Sequence, residues 1–362
     1  MDYYSELLEK LSGSKENIYP GEDNEPSFLS NKRVLITGAA GSIGSNLSKK
    51  VARYGPSVLG LLDINESGLV ELQLEISAES ECDTIIFLSD ISNENILRKI
   101  FDHFRPDFVF HTAAYKHVPV LELYPEEALR VNIIGTYHVS QLAGEFNAEK
   151  FVLISTVKAV NPVCIMGMSK KIAEKIVDKI RYRYNTDYLI VRFGNVIGSR
   201  GSASEIFRKQ IKMGYPVTLT HPEMKRYFMT IPQAVKLILT AANCGENGNL
   251  FILDMNKPIY IIDIIREMIK ENSQIIDNTP EIVLTGTRNG EKLDELLMSK
   301  EESIHAIYEQ GFYRIDTNKL EYNYRHLLEM FNAYINDEYK NILEDLFDES
   351  FSLTKTFKQM KL

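Results

Sequence analysis

An apolar run, Val34-Leu-Ile-Thr37, leads straight into Gly38-Ala-Ala-Gly41-Ser-Ile-Gly44, and a helical pattern opens inside that turn. Few short stretches constrain a fold so tightly. One glycine permits the tight turn, another lets the backbone approach a diphosphate, and the last allows the helix to lie close on the strand. The helix start adds free N–H groups and the positive end of its dipole at the same point. A glycine pattern alone is weak evidence. Between a strand and a helix it predicts a dinucleotide-binding unit, with Gly38, Gly41, Ser42, Ile43 and Gly44 against the cofactor.

The alternation continues along the chain. Strands are predicted at 34–37, 58–63, 84–87, 108–110, 151–154 and 189–192, with helical patterns between them. Continuous apolar runs separated by helices indicate a parallel sheet buried on both faces. Right-handed crossovers then give an α/β fold with a doubly wound parallel sheet. Beyond Gly194 the pattern is less regular: a helix over 231–242, a strand over 250–254, mixed signals from 259 to 297, and a helical tail of mixed charge over 319–347. Residues 1–12 suit a short helix with Leu7, Leu8 and Leu11 on one side, and 13–30 read as a linker. The expected division is an N-terminal helical arm and linker over 1–30 and a dinucleotide-binding domain over 31–193, to which 231–256 returns. A smaller C-terminal substrate domain takes 194–230 and 257–350, and 351–362 form a tail.

Asp63 ends the second strand, 19 residues after Gly44. A carboxylate there can accept bonds from the adenosine ribose hydroxyls and would repel a 2′-phosphate, which favours NAD over NADP. Capping of the following helix is the alternative role for Asp63. Asp90 and Ile91 end the next strand, where adenine would lie, and Ala113 and Ala114 supply small side chains along the cofactor path. A net charge of −9 gives no basic face for a nucleic acid, although local Arg and Lys can still hold a phosphate. Cys82, Cys164 and Cys244 are far apart and the seven histidines form no paired motif, so no metal is expected. Reduced thiols, the absence of an apolar run near the roughly 18 residues of a membrane span, and an N-terminus unlike a signal peptide lead to the expectation of a cytoplasmic protein.

A strand ending in Ser155-Thr156-Val-Lys158, followed twelve residues later by Lys170 at the start of a helix, resembles the catalytic strand and helix of a short-chain dehydrogenase/reductase. The usual Tyr-x-x-x-Lys pattern carries Met166 in place of Tyr. Together with Lys116-His-Val-Pro119, Asn132, Phe193–Gly201, His221–Thr230 and Gly286–Leu293, these residues are similar to the bacterial UDP-N-acetylglucosamine 4,6-dehydratases. Those enzymes are a polysaccharide-biosynthesis branch of the extended short-chain dehydrogenase/reductases. The resemblance covers roughly residues 30–300. It implies a Rossmann domain, a smaller C-terminal domain for a UDP-sugar, bound NAD and a homo-oligomer.

The resemblance also implies a lyase reaction: oxidation at C4 of the sugar, loss of water across C5 and C6, and return of the hydride to C6. Lys170 matches the lysine on the nicotinamide ribose, Thr156 the partner of the C4 hydroxyl and Lys158 the C5 base. Asn195, Arg226, Arg288 and Glu291 match positions that bind the nucleotide. Lys116 and His117 fall in a loop over the sugar or in an ordinary surface loop. Met166 also occurs in the branch with membrane-anchored members. Val157 departs further, because the family places there an Asp that acts as the acid for the departing C6 hydroxyl. Three functions stay open: a dehydratase with unusual proton handling, a 4-epimerase or other C4 oxidoreductase, and a catalytically impaired protein that binds NAD and UDP-sugar.

Overall fold

The computed structural model describes residues 3–12, 28–272, 279–309, 311–321 and 324–336. The expected linker over 13–30, the 351–362 tail and the end of the 319–347 helix therefore lie wholly or mostly outside the described residues. The helix Tyr3–Ser12 (α1) precedes a regular alternation. This runs Arg33–Thr37 (β1), Ser42–Ala52 (α2), Val58–Asp63 (β2), Glu66–Glu79 (α3), Thr84–Leu88 (β3), Glu94–Phe104 (α4) and Phe108–His111 (β4). After a short helix, Val118–Leu123 (α5), and a π-helical stretch, Ala128–Gly135, come Thr136–Glu145 (α6), Lys150–Thr156 (β5), Ile165–Ile180 (α7) and Asp187–Phe193 (β6). The C-terminal segments contain Ala203–Lys212 (α8), Val217–Leu219 (β7), Ile231–Cys244 (α9), Asn249–Leu253 (β8) and Ile261–Asn272 (α10). Ile282–Leu284 (β9), Lys300–His305 (α11), Ile307–Glu309 (β10), Phe312–Asp316 (β11) and Tyr324–Asn332 (α12) follow, with shorter pieces between the longer elements.

Nine strands form one sheet in the order β10-β11-β8-β6-β5-β4-β1-β2-β3. The seven from β8 to β3 are parallel, which is the doubly wound Rossmann arrangement. Period-two alternation sends successive side chains to opposite faces. Leu35, Val109, Leu153 and Ile190 pack with Ile133, Ile172 and Ile176 on one face. Val34, Ile36, Phe110, Val152 and Val191 pack with Leu47, Val51 and Ile238 on the other. Helix α4 shows the matching period: Leu97, Ile100, Phe101 and Phe104 are buried, and Asn93 caps its start by accepting from Ile96 N at 3.2 Å.

The expected arrangement is refined in three places. β3, the outermost strand, is only half-buried: Ile85 and Phe87 pack toward one apolar cluster, Ile86 toward the other, and Leu88 is exposed. Residues 307–316, grouped by sequence with the smaller domain, instead extend the large sheet: β11 runs antiparallel to β8 and β10 antiparallel to β11. Their register satisfies the free edge of β8, which the sequence gives no means of foreseeing. The N-terminal helix read from the sequence is α1, and its apolar side is packed. Leu7 and Leu8 are buried in a third apolar cluster with Ile197, Phe207, Ile211, Ile264 and Ile265, built from α1, α8 and α10. Among the described residues no helix is long and apolar enough to cross a membrane, and no group of His, Cys, Asp and Glu is arranged to hold a metal.

Candidate active site

The parallel strands end along one rim, where β1 and β4 diverge toward opposite halves of the sheet. Ligands of doubly wound sheets bind outside the carboxyl ends at such a switch point. A cavity of about 750 Å³ opens there. Its wall brings together Gly38, Gly41, Ser42, Ile43, Gly44, Ala114, Lys116, His117, Thr156, Val157, Lys158, Met166, Lys170, Asn195, Arg226, Arg288 and Glu291. Asp63, Asp90, Ile91 and Ala113 lie outside that wall.

The glycine turn is built as its sequence requires. Gly38 has φ +68°, and a Cβ on it would sit 2.6 Å from Ala113 N. A Cβ on Gly44 would sit 2.1 Å from Gly38 O. Asp63 supports this turn, accepting from Ala40 N at 2.9 Å and from Asn65 N at 3.0 Å. The cap of α3 is Asn65, which accepts from Gly68 N, so the capping role considered for Asp63 belongs to its neighbour. Asp90 accepts from Ser92 N at 2.8 Å and pairs with Arg130 at 2.5 Å. Burial resists ionisation of Asp90, but the Ser92 bonds and the Arg130 charge outweigh it and hold the carboxyl below its usual range. Ile91 is buried against Gly135.

At the end of β5, Thr156 Oγ1 accepts from Lys158 N at 3.3 Å, closing a 3₁₀ turn over 157–159. Val157 is buried within the apolar cluster of one sheet face while still touching the cavity. Lys158 Nζ donates to Asn195 Oδ1 at 2.8 Å and pairs with Glu295 Oε1 at 2.7 Å. Glu295 is buried and also accepts from Asn195 Nδ2 at 2.9 Å, with Arg226 Nε 3.4 Å away. One carboxylate thus gathers Lys158, Asn195 and Arg226. Sequence reasoning missed Glu295, because it lies beyond the Gly286–Leu293 motif and nothing in its spacing marks it. The segment 291–298 is in fact irregular and folds over the cavity.

Helix α7 delivers Met166 and Lys170. Its first N–H groups are satisfied by side chains: Glu122 Oε1 accepts from Ile165 N at 2.8 Å, and Cys164 Sγ accepts from Gly167 N at 3.3 Å. Lys170 is only 5 % exposed, yet its Nζ takes no hydrogen-bond or ion-pair partner among the described residues. Burial lowers its pKa to about 8, with the Glu174 charge acting in the opposite direction. His111 lies behind it, bonded to Thr37 Oγ1 at 2.7 Å and Thr136 Oγ1 at 3.0 Å. Burial, with the Lys170 charge beside it, pushes this imidazole down to about 3, so it is neutral at pH 7. The π-helical stretch carries Asn132. Its amide accepts from Tyr115 N at 2.8 Å and donates to Tyr115 O and Ser169 Oγ, both at 3.0 Å. It therefore pins the 115–117 loop to the turn that carries Lys170.

Beneath β5 lies a buried ionic network. Arg192 donates to Glu174 at 2.7 Å and to Glu302 at 3.0 Å, and Ser155 Oγ donates to Glu174 at 2.6 Å. Lys171 completes it at 3.1 Å from Glu174.

On the far wall, Arg226 Nη1 donates to Lys225 O at 2.7 Å and Leu293 O at 3.1 Å. Glu291 Oε2 accepts from Arg288 N at 3.1 Å, whereas the Arg288 guanidinium has no ion-pair partner among the described residues. Lys292 Nζ donates to Val160 O at 2.8 Å and Asn161 O at 2.6 Å, tying this loop to the segment that follows β5. Lys116 Nζ donates to Arg200 O at 2.8 Å, and burial lowers its pKa. Burial and the Lys116 charge lower that of His117.

Residues 34–317 match the sequence family described as polysaccharide biosynthesis protein. The capsular polysaccharide biosynthesis protein CapD of Staphylococcus aureus is 40% identical over 333 residues, covering 91% of this chain and 53% of the relative. The chain thus spans about half the length of that relative. A UDP-glucose 4-epimerase of Rickettsia conorii is 32% identical over 300 residues, covering 81% of this chain and 85% of the relative. Among solved structures, Pen from Bacillus thuringiensis has a TM-score of 0.75 at 33% identity, covering 80% of this chain and 90% of that one. The UDP-glucose 4-epimerase of Thermus thermophilus, solved with NAD, has a TM-score of 0.63 at 22% identity over 74% of this chain and 90% of that one, a likeness of fold alone.

Proposed function

From the premise that this chain belongs to the polysaccharide biosynthesis protein family, we propose that it modifies a UDP-linked amino sugar by NAD-dependent chemistry at C4, and that the net reaction is 4,6-dehydration of UDP-N-acetylglucosamine. The observation that carries this reading is the meeting, in one cavity, of a glycine turn, a buried lysine without a partner and the Thr156–Lys158 strand end. The residues fit a nicotinamide dinucleotide: a side chain on Gly38 or Gly44 would collide with backbone, and Lys170 Nζ lacks the acceptors that ribose hydroxyls would supply. Bound NAD would supply a hydride acceptor for C4 and, once reduced, a hydride donor for C6. The Asp63 carboxylate at the end of β2 supports NAD over NADP. The Thermus thermophilus epimerase, solved with NAD on the same fold, supports the cofactor class.

Thr156 Oγ1 accepts from the C4 hydroxyl, whose proton passes to solvent in the open cavity as the carbon is oxidised and returns at C5 in the last step. The resulting ketone acidifies the C5–H, and Lys158 Nζ takes that proton as the neutral amine, its own having first passed to the Glu295 carboxylate 2.7 Å away. The C6 hydroxyl departs as water by accepting one proton, and C5 regains one when hydride reaches C6, so protons and electrons balance over the cycle. Val157 offers no proton to the departing hydroxyl. Lys158, held by Glu295 and Asn195, carries a proton from C5 to O6, and His117 is another proton-bearing group on the wall. Arg288 and Arg226 face the UDP diphosphate, a geometry suited to guanidinium forks. Lys116, His117, Asn195 and Glu291 complete the sugar-nucleotide contacts.

A second reading, 4-epimerisation, is favoured by the same Val157, because an epimerase needs no acid at O6. The name of the Rickettsia conorii relative supports it. Incubating the protein with UDP-N-acetylglucosamine and following the sugar by NMR separates the two. A 4-keto-6-deoxy product supports dehydration, and inversion at C4 with the C6 hydroxyl kept replaces it by epimerisation.

A further inference from the structure

The cavity that holds the Thr156–Lys158 strand end is walled in part by α5 and by the loop that leads into α7. Val118, Pro119 and Val120 line it from α5, and Val163 lines it from the loop. Two contacts fix these segments against each other. Glu122 Oε1 accepts from Ile165 N at 2.8 Å, so Val120 and Val163 each lie two residues from one end of the same hydrogen bond. A Cβ on Gly290 would lie 2.7 Å from Cys164 Cβ and 3.3 Å from Glu122 Oε1, so the 288–291 loop packs onto this junction. Three segments thus hold the two valines in place on the wall.

The chemistry of this part of the wall does not match a bare sugar. Val120 is 52 % exposed and Val163 47 %, although both line the cavity. Leu123 and Tyr124 follow Val120 at spacings of three and four, so they share its side of α5, and both are exposed. Single exposed apolar residues are ordinary, but a strip that begins on a cavity wall and continues out of the cavity marks a place where an apolar group binds. Sugar hydroxyls need hydrogen-bond partners, and these aliphatic side chains offer none. An acetyl group ends in a single methyl and has no length with which to follow the strip.

Resting on the reading of the substrate as a UDP-linked amino sugar, we propose that Val120 and Val163 form an acyl subsite, and that the protein takes amino sugars whose N-acyl group is longer than acetyl. The chain lies across the two valines and leads out along α5 toward Leu123. No bond is made or broken there, and the subsite acts on substrate selection alone.

The test supplies UDP-glucosamine carrying an N-acetyl, N-propionyl or N-butyryl group to wild type and to the double variant Val120→Ser/Val163→Ser. Conversion of the sugar is followed by NMR, and affinity by calorimetry. In wild type, affinity and kcat/KM should rise with chain length, by up to about fourfold for each added methylene, the factor for one fully buried CH₂. In the double variant the butyryl-to-acetyl ratio should fall toward one. A ratio at or below one in a wild type that converts the N-acetyl sugar overturns the proposal. So does a gain that the double variant keeps while melting like wild type, which would place the chain elsewhere. Should the double variant fail to fold, a gain kept by Val163→Ser alone counts equally against it. A wild type that neither binds nor converts any of the three sugars overturns the amino-sugar reading itself, and is distinguishable from both.

Discussion

Glu295 Oε1 lies 2.7 Å from Lys158 Nζ, although the two residues belong to segments that meet only across the cavity. The carboxylate comes from the irregular 291–298 loop and the ammonium from the end of the central strand β5. Their contact, shared with Asn195 and Arg226, links Lys158 to the far wall of the cavity.

Glu295→Gln should therefore damage activity more than an ordinary surface change. Removing one partner of a buried ion pair typically costs about 3–5 kcal/mol. The amide can still accept one bond, so the variant should fold with a lower melting temperature and lose turnover more than UDP affinity. Wild-type kcat in Glu295→Gln would remove this residue from the positioning of Lys158.

Val157→Asp should raise 4,6-dehydration. A positioned acid contributes about 10²–10⁴-fold, and Thr156 and Lys158 flank the position at the cavity wall. Formation of the 4-keto-6-deoxy sugar at saturating substrate measures this. A wild type as fast as relatives with Asp at this position would mean that Lys158 or His117 already supplies the proton in full. A variant that stays inactive while binding NAD and UDP would favour epimerisation or a protein that binds without turnover.

Lys170→Met should stabilise the cofactor-free protein while abolishing NAD retention. The folded lysine titrates near 8 instead of 10.5, chiefly because of burial. Below about pH 8 the folded state thus carries a buried charge at a cost on the order of 3 kcal/mol. Between pH 8 and 10.5 the unfolded chain holds the extra proton, so wild-type stability rises with pH across that window. The substitution should reduce that rise. Lys175, also lowered to about 8 by burial, retains its own share. Thermal melts of both proteins from pH 7 to 10.5 give the comparison.

Acid should loosen the floor of the site before the rest of the sheet. Burial works against ionisation of Glu174, but Arg192 and Lys171 outweigh it and hold the carboxyl down to about 2. Glu302 is held below its ordinary value by the same cations, again against burial. A depressed carboxylate stabilises above its unfolded pKa, and that contribution is lost as pH falls through the folded value. The loss should run from about pH 4.5 down to about 2. Glu302→Gln should flatten the pH dependence in this range and lower stability at pH 7, both readable from chemical unfolding.

The glycine turn and the β5–α7 pairing were legible because local sequence determines them: a glycine at φ +68° and an apolar strand running into a helix need no distant partner. The residues matched by resemblance to the nucleotide wall also converge on one cavity. Asp90 and Ile91 did not join them, since Arg130 and Gly135 occupy their surroundings, and neither neighbour is visible from strand-end position alone. Glu295 was illegible for the complementary reason. It meets Lys158 through a long-range contact made by irregular backbone, where spacing carries no information.

Helix α1 has a consequence for how the chain is assembled and dissected. Ten residues of isolated helix are marginal in water, so Leu7 and Leu8 find lasting burial only once Ile197, Phe207 and the α10 isoleucines are in place. Folding of this corner therefore closes late, over a long stretch of intervening chain, and such non-local closure slows folding. A fragment trimmed to begin just before β1 would keep its whole parallel sheet and still lose the Tyr4 ring that lies behind Gly198, beside the cavity.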